Sequence, residues 1–179
     1  MGTAVTMSKD RVRRMKIQHQ AEGYLELGMP KQALDVLGRL GDAADADSQT
    51  LYLQGEALRA LGQHAEALAV LERVAKAEPE NIHVWLALGW CHKRSGRIDL
   101  AIDSLEAALA ADPEEPLIHY NLACYWSLAG GKRQSLTYLE QALALDASYR
   151  RLIDAESDFD ALRNDPDFQA LSSGSQTTG

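Results

Sequence analysis

The chain has 179 residues, 46% of them hydrophobic, which suits one folded domain or one short repeat array. Its formal net charge of -8 argues against a general nucleic-acid-binding surface, and no stretch approaches the roughly 18–20 uninterrupted apolar residues of a membrane span. Cys91 and Cys124 are the only cysteines and form no CxxC, so no disulfide framework is expected and a reducing cytoplasm is the expected compartment.

The N-terminus lacks the apolar core of a secretory signal peptide. Residues 1–8 are expected to be disordered or frayed. Residues 9–16 gather Lys9, Arg11, Arg13, Arg14 and Lys16 against Asp10 alone. Residues 1–13 therefore read as a flexible basic N-terminus. From Arg14 the chain divides, without insertions, into four blocks of 34 residues: 14–47, 48–81, 82–115 and 116–149.

Matching columns of the blocks carry matching residues. A small residue recurs at Ala21, Gly55, Gly89 and Ala123, and a glycine at Gly28, Gly62, Gly96 and Gly130. A second small column reads Ala33, Ala67, Ala101 and Ser135, and a leucine column reads Leu37, Leu71, Leu105 and Leu139. Pro79 and Pro113 close two blocks where the others have Asp45 and Ala147. Trp85, Leu88 and His92 share one helical face before the glycine. Ala101, Leu105, Ala108 and Leu109 share another after it. The glycine supplies the left-handed conformation that ends the first helix, and the small columns let two helix axes approach closely. Each block is thus a helix–turn–helix that cannot bury its apolar face alone, and stacking supplies one continuous core. The unbroken phase over 14–149 predicts a single uninterrupted groove.

Residues 150–171 read as C-terminal capping helices, starting over 150–155 and followed by two short helical turns. Asp158-Phe159-Asp160-Ala161-Leu162 is echoed by Asp167-Phe168-Gln169-Ala170-Leu171, and Asp165-Pro166 is a helix start. Phe159, Leu162, Phe168 and Leu171 are expected to cover the exposed face of the last hairpin. The alternative is a tail that folds back into the groove and inhibits it. Asp154, Glu156, Asp158, Asp160, Asp165 and Asp167 make this end acidic against Arg163, and residues 172–179 read as a disordered tail.

These columns resemble the tetratricopeptide repeat family in spacing and residue type, over residues 14–149. Block 82–115 matches best, with Trp85, Leu88, Gly89, Gly96, Ala101, Leu105, Ala108 and Pro113 in place. Block 14–47 matches least, with Ile17, Gln20 and Leu40 where the family prefers Trp, Leu and Ala. The resemblance implies an all-α fold: a right-handed α-solenoid of four helical hairpins plus the capping helices. It also implies that the first helix of each hairpin lines a concave groove for partner peptides or helices. The first block would contribute Gln18, His19, Glu22 and Glu26, and the second Tyr52, Leu53, Glu56 and Arg59. The third would contribute Leu86, Ala87, Trp90, Lys93 and Arg94, and the fourth Leu117, Tyr120, Asn121, Cys124 and Ser127. Such a groove is acidic at its start and aromatic further on, with Trp90 and Tyr120 as anchors. Family members that grip acidic chaperone tails use Lys, Asn and Arg in these columns. Glu22 and Glu56 would repel a carboxylate there, which disfavours that subtype.

No catalytic chemistry is legible. Gly130-Gly131-Lys132 lacks the upstream glycine of a phosphate loop, and neither HExxH nor GxSxG occurs. His19, His64, His83, His92 and His119 are scattered, so no metal or other cofactor is expected, and His92 reads as a partly buried structural residue. The two cysteines read as small packing residues. The expected function is a non-enzymatic cytoplasmic adaptor or scaffold that binds a protein or peptide partner, with no nucleic acid and no membrane insertion. One alternative is a self-assembling building block, a homo-oligomer joined through its oppositely charged ends. Another is an accessory or regulatory subunit of an enzyme.

Overall fold

The computed structural model describes the backbone of residues 2–41 and 46–174, with side chains from Lys9 onward. The expectations for Asp45 and for 175–179 lie outside the described residues, as does any statement about the side chains of 2–8. All secondary structure among the described residues is helical. No described helix is long and apolar enough to cross a membrane. The chain forms two compact units, residues 1–79 and 80–179.

The first unit holds α1 (Gly2–Glu26), α2 (Pro30–Leu37), α3 (Ser48–Ala60) and α4 (His64–Ala77). The second holds α5 (Ile82–Arg94), α6 (Ile98–Ala111), α7 (Pro116–Leu128) and α8 (Lys132–Leu145), then a tail with α9 (Arg150–Ile153) and α10 (Pro166–Ser173). Three first helices begin on the block starts Ser48, Ile82 and Pro116. The first block departs from the pattern at both of its helices. Helix α1 runs back to Gly2, so the backbone of the basic N-terminal stretch is helical and continuous with the first hairpin. Helix α2 stops at Leu37, because Gly38 opens a 3-10 turn and Gly41 turns the chain with φ 93°.

The four hairpins close alike. Gly28, Gly62, Gly96 and Gly130 have φ of 68°, 75°, 73° and 77°. The residue after each glycine donates its N–H back along the helix: Met29 to Tyr24, Gln63 to Leu58, Arg97 to His92 and Gly131 to Trp126, at 2.8–3.0 Å. A glycine in the left-handed region followed by this long back-bond is the Schellman closure, which satisfies carbonyls the helix end would strand.

The small columns set the distance between the two helices of a hairpin. A Cβ on Gly55 would lie 2.6 Å from Leu71 Cγ and Cδ2, and one on Gly89 would lie 3.3 Å from the Ala101 carbonyl oxygen. Ala33, Ala67, Ala101 and Ser135 are fully buried, as are Leu71, Leu105 and Leu139. The polar member of that column is satisfied: Ser135 Oγ donates to the Ala123 carbonyl at 2.8 Å.

In the tail, α9 is followed by a 3-10 turn over Ser157–Leu162 and then by α10. Phe159, Leu162 and Phe168 are buried in the core of the second unit, and Leu171 is partly buried against it. Arg163 donates to the carbonyls of Ile153, Asp154 and Glu156 at 2.9, 3.1 and 2.8 Å, which fixes the shape of the turn from within the tail. Asp165 caps α10 by accepting from the N–H groups of Asp167 and Phe168, with Pro166 in the first turn.

Candidate functional site

In the first unit, α3 splits its expected groove residues between two faces. Tyr52 and Glu56 share one face at i,i+4 spacing. Both side chains of the Glu56–Arg59 pair lock each other, with Arg59 Nε and Nη2 donating to the two carboxylate oxygens at 2.9 and 2.7 Å. Burial, with the Glu56 charge added, pushes the Tyr52 phenol up to about 12 despite Arg59. Leu53 lies about 100° further round the helix. It is 4% exposed and packs with Ala21, Ala33, Val36, Leu37 and Ala57. The groove assignment of Leu53 is therefore corrected: it belongs to the core that α3 shares with α1 and α2. Gln18 and Glu22 of α1 are also engaged. Gln18 donates to Asp47 and Thr50 at 2.9 Å, and Glu22 accepts from Gln49 at 2.8 Å.

In the second unit the expected residues again fall into rows. Leu86, Trp90 and Arg94 follow one another at i,i+4,i+8 along α5. The Arg94 guanidinium lies 5.7 Å from the centroid of the Trp90 ring system. Leu86 and Trp90 are half-buried and Arg94 is exposed. On α7, Leu117 and Asn121 form one row, with Leu117 37% exposed and Asn121 half-buried.

Ala87 of α5 is 6% exposed, and Tyr120, Cys124 and Ser127 form the other row of α7 at 5%, 2% and 3%; the groove assignments of Ala87 and Ser127 are corrected to buried positions. The turn Ser157–Leu162 packs on this helix. Phe159 stands edge-on to Tyr120, with centroids 5.9 Å apart and planes at 82°. Tyr149 lies against the same ring at 5.1 Å and 43°. Beyond them Asp158 forms an ion pair with Lys93 of α5, whose ammonium also lies 5.4 Å from the Tyr125 ring centroid. The expectation that Lys93, Tyr120 and Cys124 line an open groove is corrected: the tail of the same chain is seated on all three.

The covered row is chemically quiet. Burial, helped by the nearby Glu156 and Asp158 charges, pushes the Cys124 thiol well up, and burial does the same for the phenols of Tyr120 and Tyr125. A neutral buried thiol is a poor nucleophile. The Cys124 thiol and the carboxylates of Glu156 and Asp158 bring their possible ligand atoms within 4.8 Å of one another, but Lys93 already supplies a cation to Asp158. Among the histidines, His119 is held structurally, between the Gln141 amide oxygen at 3.1 Å and the Pro113 carbonyl at 2.7 Å, and His92 is buried. The sequence placed Phe159 on the last hairpin but did not set Glu156 and Asp158 beside Cys124 and Lys93, where they lie. The Asp-Phe echo was the signal that pointed at Asp158 and Phe159.

The acidic end is partly neutralised within the chain. Asp158 pairs with Lys93, while Asp165 and Asp167 both pair with Lys132. At the basic end, Arg14 pairs with Asp47 at 3.0 Å.

Comparison with known proteins places this geometry. Residues 58–123 match the family model described as tetratricopeptide repeat. No curated protein matches the chain in sequence. Among solved structures, MamA 41-end from Desulfovibrio magneticus RS-1 is 22% identical with a TM-score of 0.70, over 93% of this chain and 98% of that one. MamA AMB-1 is 26% identical with a TM-score of 0.66, over 74% and 78%. YrrB, described as a TPR protein with an unusual peptide-binding site, is 21% identical with a TM-score of 0.68, over 75% and 70%. With its Schellman-closed hairpins and its recurring small and leucine columns, the chain has the fold of these tetratricopeptide repeat structures, and residues 58–123 carry the family's sequence pattern.

Proposed function

We propose that the chain is a cytoplasmic adaptor or scaffold that binds a peptide or helix of a protein partner along the first helices of its hairpins. The observation that carries this reading is the row Leu86, Trp90 and Arg94 on α5. It sets a half-buried indole, a guanidinium beside it and a half-buried leucine at one helical spacing. Trp and Arg are the residue types that most often dominate binding energy, and a partly dry aromatic loses little freedom on being covered. Leu117 and Asn121 on α7 add an exposed apolar position and a polar one. YrrB, of the same fold, is described as having a peptide-binding site, which supports the reading by analogy of fold.

The reducing compartment is supported by Cys91 and Cys124, both buried and neither joined in a disulfide. The test is affinity capture with the wild-type chain and Trp90→Ala side by side, read by quantitative mass spectrometry. The reading expects proteins that the wild type retains and the variant loses. Identical retention by both would reject it.

A further inference from the structure

We propose that the turn Ser157–Leu162 is a resident occupant of the partner groove in the second unit, and that this groove takes a partner segment in which an acidic residue is followed directly by an aromatic one. The inference rests on the groove reading above and deepens it by naming the partner's chemistry.

The first argument is position. A cap that only closed the end of the stack would need to touch the last hairpin, α7 and α8. This turn goes further. Its Asp158 passes α7 and reaches Lys93 on α5, while Phe159 covers Tyr120. Both receiving residues are among those the sequence assigns to the groove. The tail shows directly what the face accepts: a carboxylate at Lys93, and an aromatic ring between Tyr120 and Tyr149.

The second argument is repetition. The chain uses the same recipe a second time. Asp167 binds Lys132 at 3.0 Å, and Phe168 packs on the Phe159 ring at 5.3 Å. An acid for a lysine and the next residue for an aromatic is thus the docking chemistry this fold applies twice.

The third argument is that the turn is built to hold its own shape. Arg163 binds three carbonyls, all of them within the tail. Those bonds survive only if residues 153–163 lift as one piece, which gives up the contacts to α5 and α7, the burial of Ile153 and the packing of Phe159 on Phe168. One groove group is left wanting as well: the Tyr120 hydroxyl is buried with no hydrogen-bond partner among the described residues. A partner segment with a donor or acceptor beside its aromatic residue would satisfy that hydroxyl.

A tethered ligand competes at an effective concentration on the order of millimolar. A partner carrying only the acid and the aromatic would lose to it. A successful partner therefore needs further contacts, and the exposed Arg94 and Leu117 supply them. The tail in this scheme sets a threshold that discriminates among partners.

The test uses a fluorescein-labelled synthetic peptide with the sequence of residues 155–164, titrated against the full-length chain by anisotropy. Wild type is compared with Asp158→Asn and Phe159→Ala, which loosen the resident turn, and with the Lys93→Met/Asp158→Asn double variant, which also removes the receiving lysine. The expected result is binding roughly tenfold tighter to Asp158→Asn than to wild type, lost again in the double variant. A control peptide with Asn and Ala at its Asp-Phe positions is expected not to bind. Phe159→Ala risks unfolding, so thiol labelling of Cys124 in the near-isosteric Asp158→Asn provides a second readout. Faster labelling of Cys124, with Cys91 still protected, is expected. Equal peptide affinity in wild type and both loosened variants, or tightening that survives Lys93→Met, overturns the proposal. Failure of this test while Trp90→Ala still abolishes capture rejects the resident turn alone. Failure of Trp90→Ala to affect capture rejects the groove reading itself.

Discussion

Lys93 and Asp158 stand 65 residues apart in the chain and form an ion pair that ties the tail to α5. Their side chains are unequally covered, at 24% and 9% exposure. The two ways of breaking the pair should therefore differ. Asp158→Asn leaves a lysine whose long stem can carry its charge back to water, at about 1 kcal/mol. Lys93→Met strands a nearly buried carboxylate beside Glu156 and is expected to cost about 2–3 kcal/mol. Urea denaturation of the two variants measures the order, and the reverse order would contradict this account of the pair.

The glycine columns make a second prediction, because two glycines are required for different reasons. Gly55→Ala places a methyl against the fully buried Leu71, 2.6 Å from its Cγ, and is expected to cost about 1–3 kcal/mol by overpacking. Gly96→Ala meets nothing within 4 Å, yet its φ of 73° imposes a cost of about 1–2 kcal/mol. A larger residue separates the two. Leucine should add several-fold to the cost at 55 and little at 96. Thermal unfolding of the four variants reads this directly.

How much of this was legible in the sequence depends on the range over which each feature is determined. The hairpin closures were legible because a glycine that must adopt positive φ is a local requirement, repeated at 28, 62, 96 and 130. The helix starts at 48, 82 and 116 and the Asp165-Pro166 cap were legible for the same reason. The burial of Leu53 was not, since the choice between the groove face and the core face of α3 depends on where α1 and α2 pack. The seat of the tail was not either. A single sequence carries both Lys93 and Asp158 but nothing that pairs them, and the tail read as a cap, with an occupant of the groove as the alternative. The first hairpin departs from its block because Gly38 and Gly41 cut α2 short, a local signal that the 34-residue frame obscured.

Asp47 gives a pH prediction. Burial alone would raise its carboxyl, but the Thr50 N–H and hydroxyl and the Arg14 guanidinium outweigh it and hold the group below its ordinary value. A carboxylate depressed in the folded state contributes stability that is present above its unfolded value, near 3.8, and is lost as pH falls through the folded value. At neutral pH Asp47→Ala also loses the cap of α3 and should cost about 1 kcal/mol, the partly exposed Arg14 pair adding little. The difference between wild type and Asp47→Ala in urea midpoint should be constant from pH 7 to about 5 and shrink below about 4. A difference that grows in acid would mean the carboxyl is not depressed.

The central claim is that the row through Trp90 binds a protein partner. It is tested most directly by isothermal titration of a partner identified by capture, against the wild-type chain and Trp90→Ala. The account predicts that the variant stays folded by circular dichroism and binds about 30-fold more weakly, the equivalent of about 2 kcal/mol for a central aromatic contact. Equal dissociation constants for the folded variant and the wild type would contradict it.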